Sequence, residues 1–304
     1  MLREVLLSLS RNTTAREAAT HSPLLRPAVR RFVAGETLAE GIAAVAALNA
    51  RGIEATIDVL GEATASEADA RRAARDYLEV LNAIFHRSLR AHVSLKLSQV
   101  GLDLSSDLAA ELLDMITRTA AGVGTFVRVD MEDSARLSRT LKVFDRVWAA
   151  GARNVGIVLQ AYLYRTPSDL ERYIAQGVRI RLCKGAYAEP AAVAYPRKAD
   201  VDAAYRDLSE RLLASGAYPA LATHDEHLIA HARGFAASRG ITPERFEFQF
   251  LYGIRRDLQE GLAAEGYRVR VYVPFGTHWY PYFMRRLAER PANLLFLAKN
   301  VLRP

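Results

Sequence analysis

A single cysteine, Cys183, is all that the 304-residue chain contains. One thiol excludes an intrachain disulfide and any cysteine-rich metal site, and it fits synthesis in a reducing compartment such as the cytoplasm. Long apolar runs are missing as well. The opening "MLREVLLSLSRNTTAREAAT" holds an apolar stretch too short and too interrupted for a signal peptide, and nothing later approaches the roughly 18 apolar residues of a spanning helix. No Pro/Gly linker is long enough to divide the chain, no GxGxxG follows the first strand-like segment, and no HExxH occurs. No basic-aromatic nucleic-acid motif appears either, so nucleic acid is not an expected partner. The net charge of +7 is compatible with nucleotides, small acids or an anionic membrane surface without choosing among them.

With 50% hydrophobic and 25% charged residues, the chain is large enough to bury a substantial core. Short β-rich runs recur every 30 to 40 residues or so, each followed by a helical pattern, as in consecutive βα units. The strand candidates are "EATIDVLG", "HVSLKLS", "TFVRVD", "VGIVLQAY", "VRIRLCKG", "PALATH", "FEFQFLY" and "RVRVYVPFG". Helical stretches such as "SEADARRAARDYLEVLNAIFH", "SSDLAAELLDMITRTA", "SRTLKVFDRVWAAG", "VDAAYRDLSERLLASG" and "DEHLIAHARGFAASRG" lie between them, several opening on Ser, Thr or Asp and closing at Gly. Eight units predict a closed (β/α)₈ barrel over 51–304, with 1–50 forming helices packed outside its first strand.

Alternation assigns the faces. If Val93, Leu95, Val127, Val129, Ile180, Leu182, Phe248 and Phe250 face the helices, then Ser94, Lys96, Arg128, Asp130, Arg179, Arg181, Glu247 and Gln249 face inward. The strand ends then converge Asp58, Lys96, Asp130, Gln160, Arg181, Glu247 and Gln249 on one region. Barrel interiors are dominated by branched apolar residues and unpaired buried charge is costly, so this polarity predicts either a large ligand over the mouth or an internal ion-pair network. In "YFMRRLAER", after the eighth strand, Tyr282, Arg285, Arg286 and Glu289 share one helical face and Phe283 and Leu287 another. That polar face is either solvated or a clamp in which two guanidinium forks hold a carboxylate. His227 and His231 are i, i+4 beside His224 and Asp225, but without HExxH no metal site is expected. Lys96 and Lys184 stand where a Schiff-base lysine could stand, which makes an aldolase a second enzymatic reading. Cys183 reads as a small buried hydrophobe.

Once "RLCKGAY" (181–187), "ATHD" (222–225), "FEFQFLYG" (246–253) and "YVPFGTHWYPYFMRRLAER" (272–290) stand on strands five to eight, the sequence resembles the proline dehydrogenases in their single-function bacterial form. The resemblance runs from about "IDVLGE" (57–62) to the end. It implies a distorted TIM-like barrel with the final helix over the mouth, carrying FAD without a Rossmann domain. It also implies oxidation of L-proline to 1-pyrroline-5-carboxylate with electrons passed to a quinone, in the cytoplasm or at the inner face of the cell membrane. By the same resemblance Arg285 and Arg286 bind the substrate carboxylate, with Glu289 as their acidic partner near the ring. Tyr272, Tyr282 and Leu251 wall the proline pocket, Lys96 and Asp130 lie beneath it, and Glu62 partners Arg285 in a gate. Gln160, Arg181, Lys184, Gly185, Ala186, Tyr187, Thr223, His224 and Gln249 fall in the segments that hold the flavin. Cys183 departs from the family pattern, in which valine is frequent there, and 188–202 has no residue-by-residue counterpart.

Overall fold

In the computed structural model, residues 12, 19, 26–61 and 63–289 are described. The period-two runs become eight strands: β1 (Glu54–Val59), β2 (Ala91–Lys96), β3 (Val127–Asp130), β4 (Val155–Gln160), β5 (Ile180–Cys183), β6 (Ala220–Ala222), β7 (Glu247–Leu251) and β8 (Arg268–Phe275). They pair in chain order, all parallel, and β8 closes on β1 through Ala55↔Val271 and Ile57↔Val273. The result is a (β/α)₈ TIM-like barrel with additional helices, as the count of βα units predicts. Val93, Leu95, Val127, Val129, Ile157, Ile180 and Leu182 are fully buried between strands and helices. Sealing one face in this way commits each alternate residue to the interior, because a slip of one residue would reverse every side chain.

Ten helices are described: α1 (Arg26–Arg30), α2 (Leu38–Asn49), α3 (Glu67–His86), α4 (Ser106–Gly122), α5 (Ser134–Ala149), α6 (Thr166–Ala175), α7 (Lys198–Ser215), α8 (Glu226–Ser238), α9 (Arg256–Ala264) and α10 (Trp279–Glu289). The expected caps form at Ser66, Ser105 and Asp225, whose side chains accept backbone N–H groups of the first turn. Two starts differ from the sequence reading. α5 begins four residues before Ser138 because Asp133 caps the Arg136 N–H at 3.1 Å, and α7 begins at Lys198 rather than Val201.

A second apolar cluster, apart from the barrel core, seats the last helix. Phe32 and Val33, just after α1, pack with Ile254, Trp279, Phe283 and Leu287. The Phe32 and Phe283 ring centroids are 6.1 Å apart, and the Trp279 indole donates to Glu36 at 2.9 Å. Each such aromatic buries enough surface to contribute about 1.5 to 3 kcal/mol. The apolar face of α10 is therefore fixed by residues 28–36, which leaves its polar face directed at the barrel.

Gly253, in the turn after β7, ties these two clusters together. Its φ is +74°, and a Cβ there would lie 1.7 Å from the Arg31 carbonyl oxygen. Gly240 has φ +64° with open space around it. Gly253→Ala should therefore lower unfolding free energy by more than about 2 kcal/mol, against about 1 kcal/mol for Gly240→Ala, where only the left-handed conformation is penalised. Denaturant titration of both variants measures the difference, and equal losses would refute the close approach.

Candidate active site

The carboxyl ends of β1, β2, β3, β5, β7 and β8 place a connected set of charges inside the barrel. Asp130 Oδ1 accepts from Ser94 Oγ at 2.6 Å and from Arg181 Nη1 at 2.7 Å, while its Oδ2 accepts from the Tyr272 hydroxyl at 2.7 Å. Lys96 Nζ stands 3.2 Å from the fully buried Asp58 and 3.9 Å from Asp130. Arg181 Nε donates to Gln249 Oε1 at 2.5 Å. Burial draws the Lys96 ammonium down, but Asp58 and then Asp130 outweigh it and hold it above the ordinary lysine range. Burial pushes Asp58 up against the pull of Lys96. Burial and the charge of Asp130 raise the Tyr272 phenol well above its usual value, so it remains a donor.

These groups open onto a cavity of about 440 Å³, within the range of small-molecule sites. Lys96, Asp130, Leu251 and Tyr272 line it together, and α10 adds Tyr282, Arg285 and Arg286. Arg286 is only 7% exposed, with its guanidinium 5.2 Å from the Tyr282 ring centroid, so this face of α10 is not a solvated one. Gln160, Arg181, Lys184, Gly185, Ala186, Tyr187, Thr223, His224 and Gln249 also line the cavity. Glu62 lies outside the described residues. Glu289 belongs to α10, but its side chain is likewise outside them. Among the lining residues six cationic side chains face two carboxylates, which favours anionic ligands.

Several placements correct or extend the sequence reading. Glu247 faces inward, yet it lies at the start of β7, below the mouth, where Arg270 Nε meets both its oxygens at 3.0 Å. Alternation gives a side chain its face but not its height. The cavity and an internal ion-pair network therefore coexist, one layer above the other. Lys198 and Asp225 line the cavity and were passed over; Lys184 Nζ sits 2.6 Å from Asp202 and 3.0 Å from Asp225, and Lys198 pairs with Asp202. The aldolase reading fails on these contacts, since Lys96 is held as an ammonium and Lys184 is bound between two carboxylates. Val158 and Ala222, also in the wall, were available from the same alternation that gave Gln160. Cys183, read from the sequence as a small buried hydrophobe, is instead partly exposed and lines the cavity, because its place at the end of β5 brings it to the mouth, with its Sγ 3.6 Å from the Leu159 carbonyl.

The loops that follow the strands complete the walls. Gly185 has φ +122°, and a Cβ would overlap the Tyr162 ring at 2.4 Å, so only glycine lets the backbone turn flush against that ring. Tyr187 follows, its phenol raised by burial while the nearby charges of Arg285 and Lys96 pull the other way. His224 Nε2 accepts the Leu251 N–H at 3.0 Å, joining β6 to β7. His231 instead binds Glu210 at 2.7 Å, so the histidines of 224–231 serve separate partners.

Two buried polar atoms on cavity-lining residues, Gln160 Oε1 and Arg181 Nη2, have no hydrogen-bond partner among the described residues. One is an acceptor and the other a donor. A flat heterocycle with both an N–H and exposed ring nitrogens or oxygens satisfies both, whereas a simple anion would satisfy one. The isoalloxazine of FAD has that edge, so the residues present fit the cofactor.

Barrel, strand-end cavity and the arginine-bearing α10 together define the class: a (β/α)₈ barrel with a cationic pocket of small-molecule size at the carboxyl ends of its strands. The family model described as proline dehydrogenase matches residues 42–299. "Proline dehydrogenase 1" of Bacillus subtilis (strain 168) is 44% identical over the whole of both chains, and "Proline dehydrogenase" of Deinococcus radiodurans is 46% identical over 90% of this chain and 89% of its own. Among solved structures, proline utilization A from Bdellovibrio bacteriovorus, inactivated by N-propargylglycine, superposes with a TM-score of 0.82 at 25% identity, covering 91% of this chain and 34% of that one. The chain belongs to the proline dehydrogenase family, on the pattern of the separate proline dehydrogenases that it matches from end to end.

Cys183 offers a check on the site. Burial pushes its thiol up to about 12, with Arg181 only partly opposing. Since the thiolate is the reactive form, iodoacetamide at pH 8 should alkylate the native protein at least roughly a hundredfold more slowly than the unfolded chain. Mass spectrometry over time distinguishes the two, and comparable rates would contradict a thiol held protonated in the native protein.

Proposed function

We propose that the protein oxidises L-proline to 1-pyrroline-5-carboxylate with FAD and passes the electrons to a quinone. The observation that carries this reading is that Arg285 and Arg286 of α10 line the same cavity as Lys96, Asp130 and Arg181 at the strand ends. A carboxylate between two guanidinium groups accepts several directional charge-assisted bonds, which fixes the orientation of a small ring as well as its charge. Glu289 and Glu62 are proposed to hold that pair, the first beside the ring and the second as a gate to Arg285.

With the carboxylate clamped, Tyr272, Tyr282, Tyr187 and Leu251 form walls that exclude water and leave little lateral freedom. Holding the reacting carbon at near-contact distance removes a large share of the barrier by orientation alone. The ring nitrogen must be neutral to donate its electron pair to the forming C=N bond. Lys96, Arg285 and Arg286 favour that state, because neighbouring positive charge disfavours a second ammonium and Asp130 is already bonded to Arg181, Ser94 and Tyr272. Gln160, Arg181, Lys184, Gly185, Ala186, Thr223, His224 and Gln249 would hold FAD, with Arg181 as a fixed cation beside the ring. Held by these residues, FAD would supply the two-electron chemistry, with its N5 as the expected acceptor for hydride from carbon 5 of proline. The family resemblance supports the quinone, and with it residence in the cytoplasm at the inner face of the membrane. No described helix is long and apolar enough to cross a membrane.

An absorbance spectrum tests cofactor and substrate together. The purified protein should be yellow and should bleach on anaerobic addition of L-proline. Arg286→Gln should keep the flavin spectrum while raising KM for proline roughly ten- to a hundredfold, the loss expected for a charge-assisted hydrogen bond. Unchanged proline affinity in that variant would remove the clamp.

A further inference from the structure

Beneath Arg181 lies a carboxylate that the proposed reaction does not touch. Glu247 is 1% exposed, meets Arg270 Nε with both oxygens at 3.0 Å and accepts the Tyr218 hydroxyl at 3.2 Å. Burial favours its neutral form, but Arg270 outweighs burial and holds the carboxyl below the ordinary glutamate range. An ionised carboxylate only accepts hydrogen bonds. Gln249, the next inward-facing residue on β7, must therefore turn its Nε2 to Glu247 and its Oε1 to Arg181 Nε, the arrangement observed. An amide ordinarily has two orientations of similar merit; here the chemistry of its two neighbours permits one. Arg181 is then gripped on two edges, Nε by Gln249 and Nη1 by Asp130 at 2.7 Å, and Nη2 is the buried donor that no described residue takes up.

We propose that Glu247 is a positioning residue for the flavin: by fixing the Gln249 amide it sets the attitude at which Arg181 presents Nη2 to the ring. Glu247 does not line the cavity and acts only through these two side chains. The inference rests on the reading that the cavity holds FAD.

Three variants separate positioning from bulk stability. Glu247→Gln can donate as well as accept, so Gln249 becomes able to turn its NH₂ towards Arg181 Nε, donor against donor. Glu247→Asp keeps the charge that Arg270 needs and draws the oxygens one methylene away from Gln249. Glu54→Gln loosens the same buried layer, because Glu54 also pairs with Arg270, but leaves Glu247 in control of Gln249. The readouts are the FAD dissociation constant by titration of apoprotein, the midpoint potential of bound flavin against a reference dye, and thermal stability.

Glu247→Gln should bind FAD roughly tenfold more weakly and show a lower midpoint potential, since a cation held at the ring favours the reduced anion. Glu247→Asp should shift both in the same direction, and it carries the test if the glutamine variant does not fold. Glu54→Gln should lose stability and move neither. Wild-type affinity and potential in both Glu247 variants overturn the proposal, as does an equal shift in Glu54→Gln. A wild-type protein that takes up no FAD defeats the cofactor reading itself, and this inference with it, before any variant is compared.

Discussion

Asp130 holds the site together. A carboxylate 8% exposed at the end of β3 is costly unless each lone pair is used, and here Ser94 and Arg181 take one oxygen and Tyr272 the other, with Lys96 close by. These partners come from β2, β5 and β8, so one side chain fixes the relative height of strands that do not adjoin one another. The same bonds turn Arg181 edge-on to the cavity and keep Tyr272 a neutral donor. Loss of the carboxylate would leave the buried Arg181 without its charge partner and Ser94 and Tyr272 without their shared acceptor, and the floor of the cavity would no longer have a single arrangement.

The lid depends on a separate, apolar constraint. α10 carries the arginines on one face and Phe283 and Leu287 on the other, and that second face, with Trp279, sits against Phe32 and Val33, with Leu60 and Ile254 after β1 and β7 completing the cluster. The segment around residues 28–36 is therefore what determines where the guanidinium groups stand. Polar floor and apolar seat meet at Tyr272, whose hydroxyl donates to Asp130 while its side chain packs against the cluster that holds α10.

How much of this the sequence discloses follows from the physics of each signal. The eight strands and their faces were legible because sealing one side of a sheet forces a period of two, and Val93, Val127 and Ile180 obey it without exception. Helix starts were less legible: Asp133 and Ser138 are both acceptable caps, and only the chain entering from β3 decides between them. Height within the barrel was not legible at all. Glu247 and Gln249 share a face two residues apart, yet one lies in the lower ion-pair layer and the other in the cavity wall. Lys184, Lys198, Asp202 and Asp225 come from three loops or helix starts, and no spacing rule announces that they meet. The role of 28–36 in seating α10 was equally hidden, since a short helix followed by Phe32 and Val33 reads only as something apolar that must be covered.

The layering also explains why so polar an interior is tolerable. In the lower layer Glu54 and Glu247 share Arg270, and Arg128 adds the second positive charge while its Nη1 donates to the carbonyls of Ile157 and Arg179. Burial, with the charge of Arg181 beside it, lowers the Arg128 guanidinium to about 9, and its Nε has no hydrogen-bond partner among the described residues. In the upper layer Gln160 Oε1 and Arg181 Nη2 are buried without hydrogen-bond partners among the described residues, and each such group costs about 1 to 3 kcal/mol. The lower layer thus closes most of its charge within the protein, and the upper behaves as half of an interface. A ligand that supplies the missing donor and acceptor recovers that cost on binding, and the protein reaches its most stable state only as the complex.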